Sequence, residues 1–512
     1  MKINIVPWKS SFLLGLIILS VCSQHGNARV VQITSPQTLI GLFENAVETV
    51  NDEIQLFADL DFSGSGLTLP LGAFSDGTCV PYGGVFRGNG HSIKSLKMKN
   101  IDNEGYKNAG LFCNLTNATV ENLVIDSSCS FTGYSAGALS VSVNGSLTVT
   151  NVVNNAAVTG TGSYDDGLIG TINADTSAIT LSDCASNGLV NGKSSDVGGL
   201  VGKIESANVI TLTGCSNNAS VNGKGNVGGF FGMIDKAQSV TMMISDSFNS
   251  GAVTCNDTGG GGMIGLIQEC TDMNVTVSEG TNTGSISADN DSGGFFGLIK
   301  QSKNLSVTVS KCVNNGVISC SDKYGGFIGY IYMNTIMVIQ FIDNQNNGVM
   351  ISSSQGSFGG GFVGFLYGNR NLNMKMENIT NHGNSSGGSY VGGIIGSVWK
   401  NTNVNLSISK SMNDGAISGT NNVGGLIGVI EDSYNVNTSI SYCFNNGVFT
   451  QKASHLGGLI GQFSGGTNVI SLSDCANNVN INGEHYFGGV VGSFTKTDNI
   501  AMTMTNMINH GN

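Results

Sequence analysis

Residues 421–430 read NNVGGLIGVI, with three glycines in five positions around Leu426 and Ile427. A glycine inside a strand lowers stability by roughly 0.5–1 kcal/mol relative to alanine, because it loses more backbone freedom on folding. A chain that accepts this loss repeatedly must lack room for a Cβ atom at those positions. The motif therefore predicts either a sharp bend of the strand or the close passage of another backbone.

The motif recurs along most of the chain. From Gly170 to Gly492 its last glycine takes ten steps over 322 residues, a mean of about 32 per step. A fixed period of this length is typical of a solenoid. Those glycines are Gly170, Gly202, Gly232, Gly265, Gly297, Gly329, Gly364, Gly396, Gly428, Gly461 and Gly492.

A second series, of asparagines, keeps the same period. Between the two series each unit has an alternating apolar run, such as Val404, Leu406 and Ile408, which indicates a strand with one buried face. Stacking units about 4.8 Å apart would place the asparagines in a ladder of side-chain amides. The ladder positions are Asn217, Asn249, Asn282, Asn314, Asn346, Asn381, Asn413, Asn445, Asn477 and Asn509. The predicted fold class is all-β, a parallel β-solenoid of about 32-residue repeats.

Composition excludes several classes of protein. Of 512 residues 75 are Gly and only 4 are Pro, and all four prolines precede residue 82. Proline removes a backbone donor, so its absence from the rest of the chain suits a long hydrogen-bonded ladder. Charged residues make up 11% and the net charge is −12, without a basic run that would neutralise phosphates. Nucleic acid is therefore not an expected partner.

The first residues predict export. Residues 1–28 combine Lys2, a short apolar core over 12–21 and small residues near the end, the pattern of a secretory signal peptide. The core is too short to span a bilayer, so we expect no transmembrane segment in the mature chain. Cys22 leaves a lipid anchor as an alternative. The expected location is secreted or cell surface.

The segment 29–82 is predicted to form an N-terminal cap region, followed by the solenoid over 83–512. Within the cap, residues 35–50 predict a short capping helix, with Ser35 as N-cap and Pro36 in the first helical position. At the other end the last residues, MINHGN, are still in phase with the repeat. We expect either a longer protein or an open end that associates with a partner or with another copy.

The repeats resemble those of GLUG-motif proteins. The resemblance rests on GGLVG at 198–202 and VGGFFG at 227–232, and on a lead-in region with GVFRGNGHSIKSLKM at 84–98 and AGLFCNLTNATVENLVI at 109–125. It covers roughly residues 80 to 512. It implies a right-handed parallel β-helix in a secreted or surface protein of adhesin-like type, and it transfers no catalytic residues.

Few residues of the sequence suggest a catalytic or metal-binding site. The six histidines show no metal-ligand spacing, so neither a metal nor a cofactor is expected. Adjacent carboxylates occur at Asp165 with Asp166, Asp289 with Asp291, and Glu431 with Asp432. They fall in turns of different units and do not stack, which indicates solvated charges rather than the paired acids of a glycosidase.

Five cysteines share one phase of the repeat, a position that Ser247 and Ser411 fill in other units. Two pairs lie in consecutive units, where stacking would bring their Cα atoms within disulfide range. Inter-coil disulfides and a column of buried thiols are both compatible with this spacing. The five are Cys184, Cys215, Cys312, Cys443 and Cys475, and the candidate pairs are Cys184 with Cys215 and Cys443 with Cys475.

One outward position breaks the uniformity of the repeat. The third residue after the last glycine is polar in most units, but in three consecutive units it is Tyr332, Tyr367 and Trp399. Tyr330 and Phe365 lie two positions earlier in the first two of these units. Stacked, these residues would form an aromatic strip that binds sugar faces or anchors a protein partner. Alternatively, residues of the longer 329–364 unit cover the strip, and it serves packing only.

Together these features predict an exported, non-enzymatic protein for adhesion or ligand recognition, whose partner is a glycan or a protein on another cell or matrix. The first alternative is a polysaccharide-active lyase or hydrolase, which would need a carboxylate pair in a groove. The second alternative is a structural spacer that assembles with itself.

Overall fold

The computed structural model describes residues 29–511, apart from 45, 47, 49, 101–104, 163–165, 175, 353–356 and 497–498. The predicted signal segment 1–28 lies outside the described residues. The fold is a β-solenoid of about 14 parallel stacked turns with a repeat of about 32 residues. The fold class predicted from the sequence is confirmed.

Each coil begins with a strand that contains the last glycine of the motif, here called the bend strand. The bend strands are Val201–Ile204, Phe231–Asp235, Ile264–Gln268, Phe296–Lys300, Ile328–Tyr332, Val363–Tyr367, Ile395–Trp399, Ile427–Glu431, Ile460–Ser464 and Val491–Thr495. A longer strand with alternating burial comes next: Ala207–Thr213, Thr241–Ser245, Thr271–Ser278, Lys303–Ser310, Thr335–Ile342, Arg370–Glu377, Thr402–Ser409, Tyr434–Ser441, Thr467–Ser473 and Asn499–Thr505.

A two-residue strand then carries the repeated asparagine. These strands are Ser216–Asn217, Phe248–Asn249, Thr281–Asn282, Val313–Asn314, Gln345–Asn346, Thr380–Asn381, Met412–Asn413, Phe444–Asn445, Ala476–Asn477 and Ile508–Asn509. Return strands lead back to the glycines: Val221–Gly223, Gly225–Gly228, Val253–Gly261, Ile286–Gly293, Ile318–Cys320, Lys323–Gly325, Met350–Ile351, Phe358–Gly360, Ser385–Ser386, Tyr390–Gly392, Ile417–Ser418, Asn422–Gly424, His455–Gly457 and Tyr486–Gly488.

The N-terminal coils are less regular but stack in the same way. Their strands are Val30–Ile33, Glu53–Leu56, Leu60–Asp61, Val85–Arg87, Ser92–Lys94, Lys97–Lys99, Ala109–Ile125, Ser130–Gly133, Ala136–Asn154, Ala157–Gly160, Asp166–Ile172, Thr176–Ser182, Ala185–Ser186, Val190–Gly192 and Ser195–Gly198. Val30–Ile33 already pairs in parallel with Glu53–Leu56, which pairs with Val85–Arg87. Parallel stacking therefore starts well before the predicted boundary at residue 83.

The asparagine ladder is present over ten coils. The side-chain nitrogen of each asparagine donates to the side-chain oxygen of the next, for example Asn282 to Asn314 at 2.8 Å and Asn346 to Asn381 at 2.6 Å. The same nitrogen donates to the carbonyl two residues ahead, as Asn249 does to Gly251 at 3.0 Å. The amides from Asn217 to Asn477 are buried, so the ladder satisfies polar groups inside the solenoid that water cannot reach, whereas Asn509 in the last described coil is exposed.

The three glycines of the motif are each required for a different reason. A Cβ at Gly325 would lie 2.1 Å from the carbonyl oxygen of Ile328, because the chain folds back on itself there. A Cβ at Gly326 would lie 2.0 Å from the carbonyl oxygen of Gly361 in the next coil and 2.5 Å from Cγ of Asn346. A Cβ at Gly329 would lie 2.7 Å from the carbonyl oxygen of Gly297 in the preceding coil. Both expectations for the motif therefore hold: the strand bends, and other backbones pass close to it.

The interior is apolar and continuous along the axis. Phe295, Phe327 and Phe362 stack one above another, with ring centroids 4.7 and 4.8 Å apart. Phe341 meets the middle ring edge-on. Each coil thus buries the apolar residues between its glycines against those of its neighbours. This explains why consecutive residues there are both apolar, instead of alternating with polar residues.

The capping helix is shorter than predicted. It runs from Pro36 to Phe43 rather than over 35–50, and the Ser35 side chain accepts a hydrogen bond from the backbone N–H of Thr38. Phe43 packs against Tyr82 and Phe112, with ring centroids 6.1 and 6.2 Å apart. The helix stops because the chain returns to the sheet, where Val50 forms a parallel bridge with Tyr82.

The last coil that the structure describes differs from the others in exposure. Phe494 is 45% exposed, whereas Phe463, which is in register with it one coil earlier, is fully buried. Phe487 in the same last coil is 55% exposed. This coil therefore presents apolar side chains that the inner coils bury.

Candidate functional site

The outward side chains before and after the glycine bend contact one another, and together they are here called the bend face. Lys323, two residues before its glycines, places Nζ 4.9 Å from the ring centroid of Tyr330, which follows them. One coil later Phe358 stacks on Phe365 with ring centroids 4.1 Å apart. The return strand and the bend strand thus form two sides of one outer surface that runs along the solenoid.

The structure brings the predicted aromatic strip together on this face. The aromatic strip consists of Tyr330, Tyr332, Phe365, Tyr367 and Trp399. Tyr332 is in register with Tyr367, and Tyr367 with Trp399. The rings of Tyr332 and Tyr367 stack at 5.9 Å, and Trp399 meets Tyr367 nearly at right angles at 5.8 Å.

The strip is only partly open to solvent. Tyr330, Tyr332, Tyr367 and Trp399 are partly exposed, whereas Phe365 is 4% exposed. Phe358, which belongs to the longer 329–364 unit, covers Phe365. The alternative of simple packing therefore applies to Phe365, and the other four residues are available for contact.

Two aromatic residues of this surface were not singled out in the sequence. Phe358 and Tyr390 lie on the return strands in register with each other, and their rings stack at 4.6 Å. Phe358 stands two residues before Gly360, and Tyr390 stands two residues before Gly392. This is the position that Lys323 occupies relative to Gly325 in the coil before Phe358. The signal was available as an aromatic residue at one fixed offset in two consecutive units.

The strip continues toward the N-terminus as an apolar column. Met233, Leu266 and Leu298 occupy the position of Tyr330 in the three preceding coils and form a small cluster against Tyr330 and Tyr332. They are 2–6% exposed. The wide aromatic surface is therefore local to the coils between Tyr330 and Trp399.

Charged groups border the strip on both sides. Lys323 forms ion pairs with Asp291, at 3.3 Å, and with Asp322. Burial raises the pKa of Asp291 to about 6. At the other end Trp399 donates from Nε1 to Oδ2 of Asp432 at 3.4 Å, and Lys400 lies 5.1 Å from the centroid of the Trp399 ring. Positively and negatively charged side chains thus flank the partly exposed aromatic rings.

A second asparagine ladder supports the strip from inside. Asn334, Asn369 and Asn401 each follow a strip residue by two positions and are fully buried. Asn334 donates to Asn369 at 3.1 Å, and Asn369 donates to Asn401 at 3.0 Å. Residues 332–334, 367–369 and 399–401 read YMN, YGN and WKN, so the sequence did contain this signal. The ladder fixes the spacing of the three coils that carry the aromatic rings.

The candidate inter-coil disulfides are absent from the described residues. Cys184, Cys215, Cys443 and Cys475 are free, buried thiols, and the disulfide joins Cys79 to Cys113 instead. Each thiol of the column donates to a carbonyl two residues earlier, as Cys184 does to Ser182 at 3.3 Å. The thiol of Cys475 also accepts the backbone N–H of Cys443 at 3.4 Å. The column therefore satisfies backbone groups at a bend, which explains why serine can replace cysteine there.

The adjacent carboxylates have separate environments. Asp165 lies outside the described residues. Asp289 is exposed, whereas Asp291 is buried beside Lys323. Burial raises the pKa of Glu431, while its neighbour Asp432 accepts the Trp399 hydrogen bond. Among the described residues, no three side chains of His, Cys, Asp or Glu lie close enough together to hold a metal ion.

Comparison with known proteins adds little. No family model matches the chain, and no curated protein matches it. Among solved structures, it is similar to the crystal structure of a candidate immunoglobulin A1 protease from Bacteroides ovatus, with 14% identity over 64% of this chain and 80% of that one. The TM-score is 0.30, so this likeness carries no functional argument. In the part of the chain that the structure describes, no helix is long and apolar enough to cross a membrane.

Proposed function

We propose that this protein is an exported, non-enzymatic recognition protein that holds a partner on another cell or matrix against its aromatic strip. The observation that carries the proposal is the alignment of Tyr332, Tyr367 and Trp399, partly exposed and in register over three coils. Tryptophan and tyrosine are the residues that dominate binding energy at recognition surfaces. A solenoid adds to this a rigid, extended surface on which such residues keep fixed spacing.

Three further features support export and recognition. The disulfide between Cys79 and Cys113 is of the kind that persists in oxidising compartments. The nine free cysteines of the described residues are all buried, which shields them from oxidants in such a compartment. The resemblance of the repeats to GLUG-motif proteins also favours a surface role.

The test is binding of the purified protein to cultured cells and to extracellular matrix. Trp399→Ala should weaken binding about thirtyfold or more, because truncation of an aromatic anchor at an interface costs about 2 kcal/mol or more. The matched control is Tyr434→Ala, which removes an exposed aromatic ring outside the strip. Removing glycans from the cells, or treating the cells with protease, distinguishes a glycan partner from a protein partner. Unchanged binding by a folded Trp399→Ala protein would refute the proposal.

A further inference from the structure

A cavity of about 440 Å³ opens at the N-terminal part of the bend face, beside the Cys79–Cys113 disulfide. Asn114, Ser142 and Thr171 line it and stand in register in consecutive coils. The same column continues through Lys203 and Met233 to Tyr330 of the aromatic strip. From Thr171 to Tyr330 is five coil steps of about 4.8 Å, or about 24 Å. The cavity is therefore separate from the strip but on the same side of the molecule.

The part of the lining that the structure describes is polar and uncharged. Three side-chain amides, Asn108, Asn114 and Asn144, and three hydroxyl groups, Ser135, Ser142 and Thr171, surround the cavity. None of the described residues that line it carries a charge. Tyr106 adds one aromatic ring, and burial raises the pKa of its phenol to about 12, so it stays neutral at physiological pH. The volume falls within the range of small-molecule sites.

One amide at this site has unused hydrogen-bonding capacity. Asn114 donates from Nδ2 to the hydroxyl of Ser142 at 2.8 Å, and Ser142 in turn donates to the carbonyl of Cys113 at 3.2 Å. The Oδ1 atom of Asn114 is buried without a hydrogen-bond partner. A buried acceptor without a partner lowers stability, so a ligand that donates a hydrogen bond here would recover part of that loss.

The walls of the cavity are held in place before any ligand arrives. The disulfide ties Cys113, the neighbour of Asn114, to a tight loop in which Val80 N–H donates to the carbonyl of Gly72 at 2.8 Å. The backbone carbonyl of Asn114 accepts from Tyr82 N–H at 3.0 Å. A prearranged site binds more tightly because less freedom is lost on association.

From this geometry we infer that the cavity binds an uncharged, polyhydroxylated ligand, a neutral monosaccharide unit of a glycan. Amides and hydroxyl groups pair with sugar hydroxyls as both donors and acceptors, and a neutral lining offers nothing to compensate the desolvation of a charged sugar. The site is independent of the aromatic strip, so the failure of one proposal leaves the other standing.

The test is isothermal titration of the full chain with glucose, galactose, mannose and N-acetylglucosamine, and with glucuronic acid as the charged counterpart. At least one neutral sugar should bind, and glucuronic acid should bind about tenfold more weakly or not at all. Asn114→Leu, which keeps the size of the side chain but removes the amide, should lower the affinity about tenfold. Ser142→Ala is the second variant, in case Asn114→Leu does not fold.

Two controls locate the effect. Asn187→Ala removes an exposed amide that does not line the cavity, and Tyr434→Ala removes an exposed aromatic ring outside both the cavity and the strip; both should leave sugar affinity unchanged. The inference is overturned if no neutral sugar binds, if glucuronic acid binds equally well, or if a folded Asn114→Leu or Ser142→Ala protein retains full affinity.

Discussion

At the scale of single residues, adjacent asparagines in one coil have opposite environments. Asn346 is fully buried in the ladder, where it donates to Asn381, whereas Asn347 is exposed and donates to Asn315 of the preceding coil. The pair therefore allows the same change to be compared inside and outside the solenoid.

Asn346→Ala should lower the free energy of unfolding by about 2–4 kcal/mol, because it leaves the amides above and below with unpaired buried groups. Asn347→Ala should change it by less than about 0.5 kcal/mol, as expected for an exposed site. Urea unfolding followed by circular dichroism measures both. Equal effects of the two substitutions would show that the ladder does not stabilise the fold.

Asp291 predicts a pH dependence of stability. Burial raises its pKa to about 6, from an ordinary value of 3.8, with Lys323, Asp322 and Lys300 as the charged neighbours. The folded state then holds more protons than the unfolded state between about pH 4 and 6, so this group makes stability fall as pH rises through that window. In Asp291→Asn, the decrease in the free energy of unfolding over this pH range should be smaller by at most about 3 kcal/mol.

Unfolding in urea at pH 4, 5 and 6 measures the slope. The control is Asp59→Asn: a hydrogen bond from Lys94 lowers the pKa of Asp59 to about 2, so its contribution is complete by about pH 4. Identical slopes for the wild-type protein and Asp291→Asn would contradict the assignment.

At the scale of elements, the thiol column makes a countable prediction. The described residues contain nine free cysteines, all buried, and one disulfide. The folded protein should therefore react slowly with a thiol reagent, since a buried thiol is inert. The denatured protein should expose these nine thiols, and reduction of the Cys79–Cys113 disulfide should add two more. Cys22 adds one further thiol in any preparation that retains it. Five reactive thiols before reduction would instead indicate the two inter-coil disulfides.

The repeat period and the alternating strands determine most of each coil, which is why the ladder asparagines and the outward direction of Tyr332, Tyr367 and Trp399 were predictable. Contacts between separate series of repeated residues were not predictable from the sequence. The amide of Asn346 packs against Gly326, twenty residues earlier in the chain, and only coordinates show that the two series meet. The covering of Phe365 by Phe358 depends in the same way on how the irregular return strands pack.

At the scale of the whole molecule, stability should be nearly a sum over coils and their interfaces. Deleting residues 218–249 removes one whole repeat of 32 residues and joins Asn217 to Ser250, a neighbour that its counterpart Asn249 already has. This variant should fold and keep cooperative unfolding. Deleting 218–233, half a repeat, would place bend residues against asparagine strands and should prevent folding.

Circular dichroism and the susceptibility to proteolysis distinguish the two deletions. Retention of partner binding by the whole-repeat deletion would further show that the coils carrying the strip act as a unit. Loss of structure in both deletions would mean that the coils are not interchangeable.

The hydrogen bonds between coils run along the axis of the solenoid, and this has a mechanical consequence. A coil of about 32 residues occupies about 4.8 Å of axial length, but the same residues span roughly 100 Å when fully extended. Tension on a tethered molecule would unfold the coils one after another from one end, and each unfolded coil would add its extended length to the chain. The protein would therefore lengthen in steps under load and dissipate force, as a shock-absorbing tether does, while the remaining coils keep their shape.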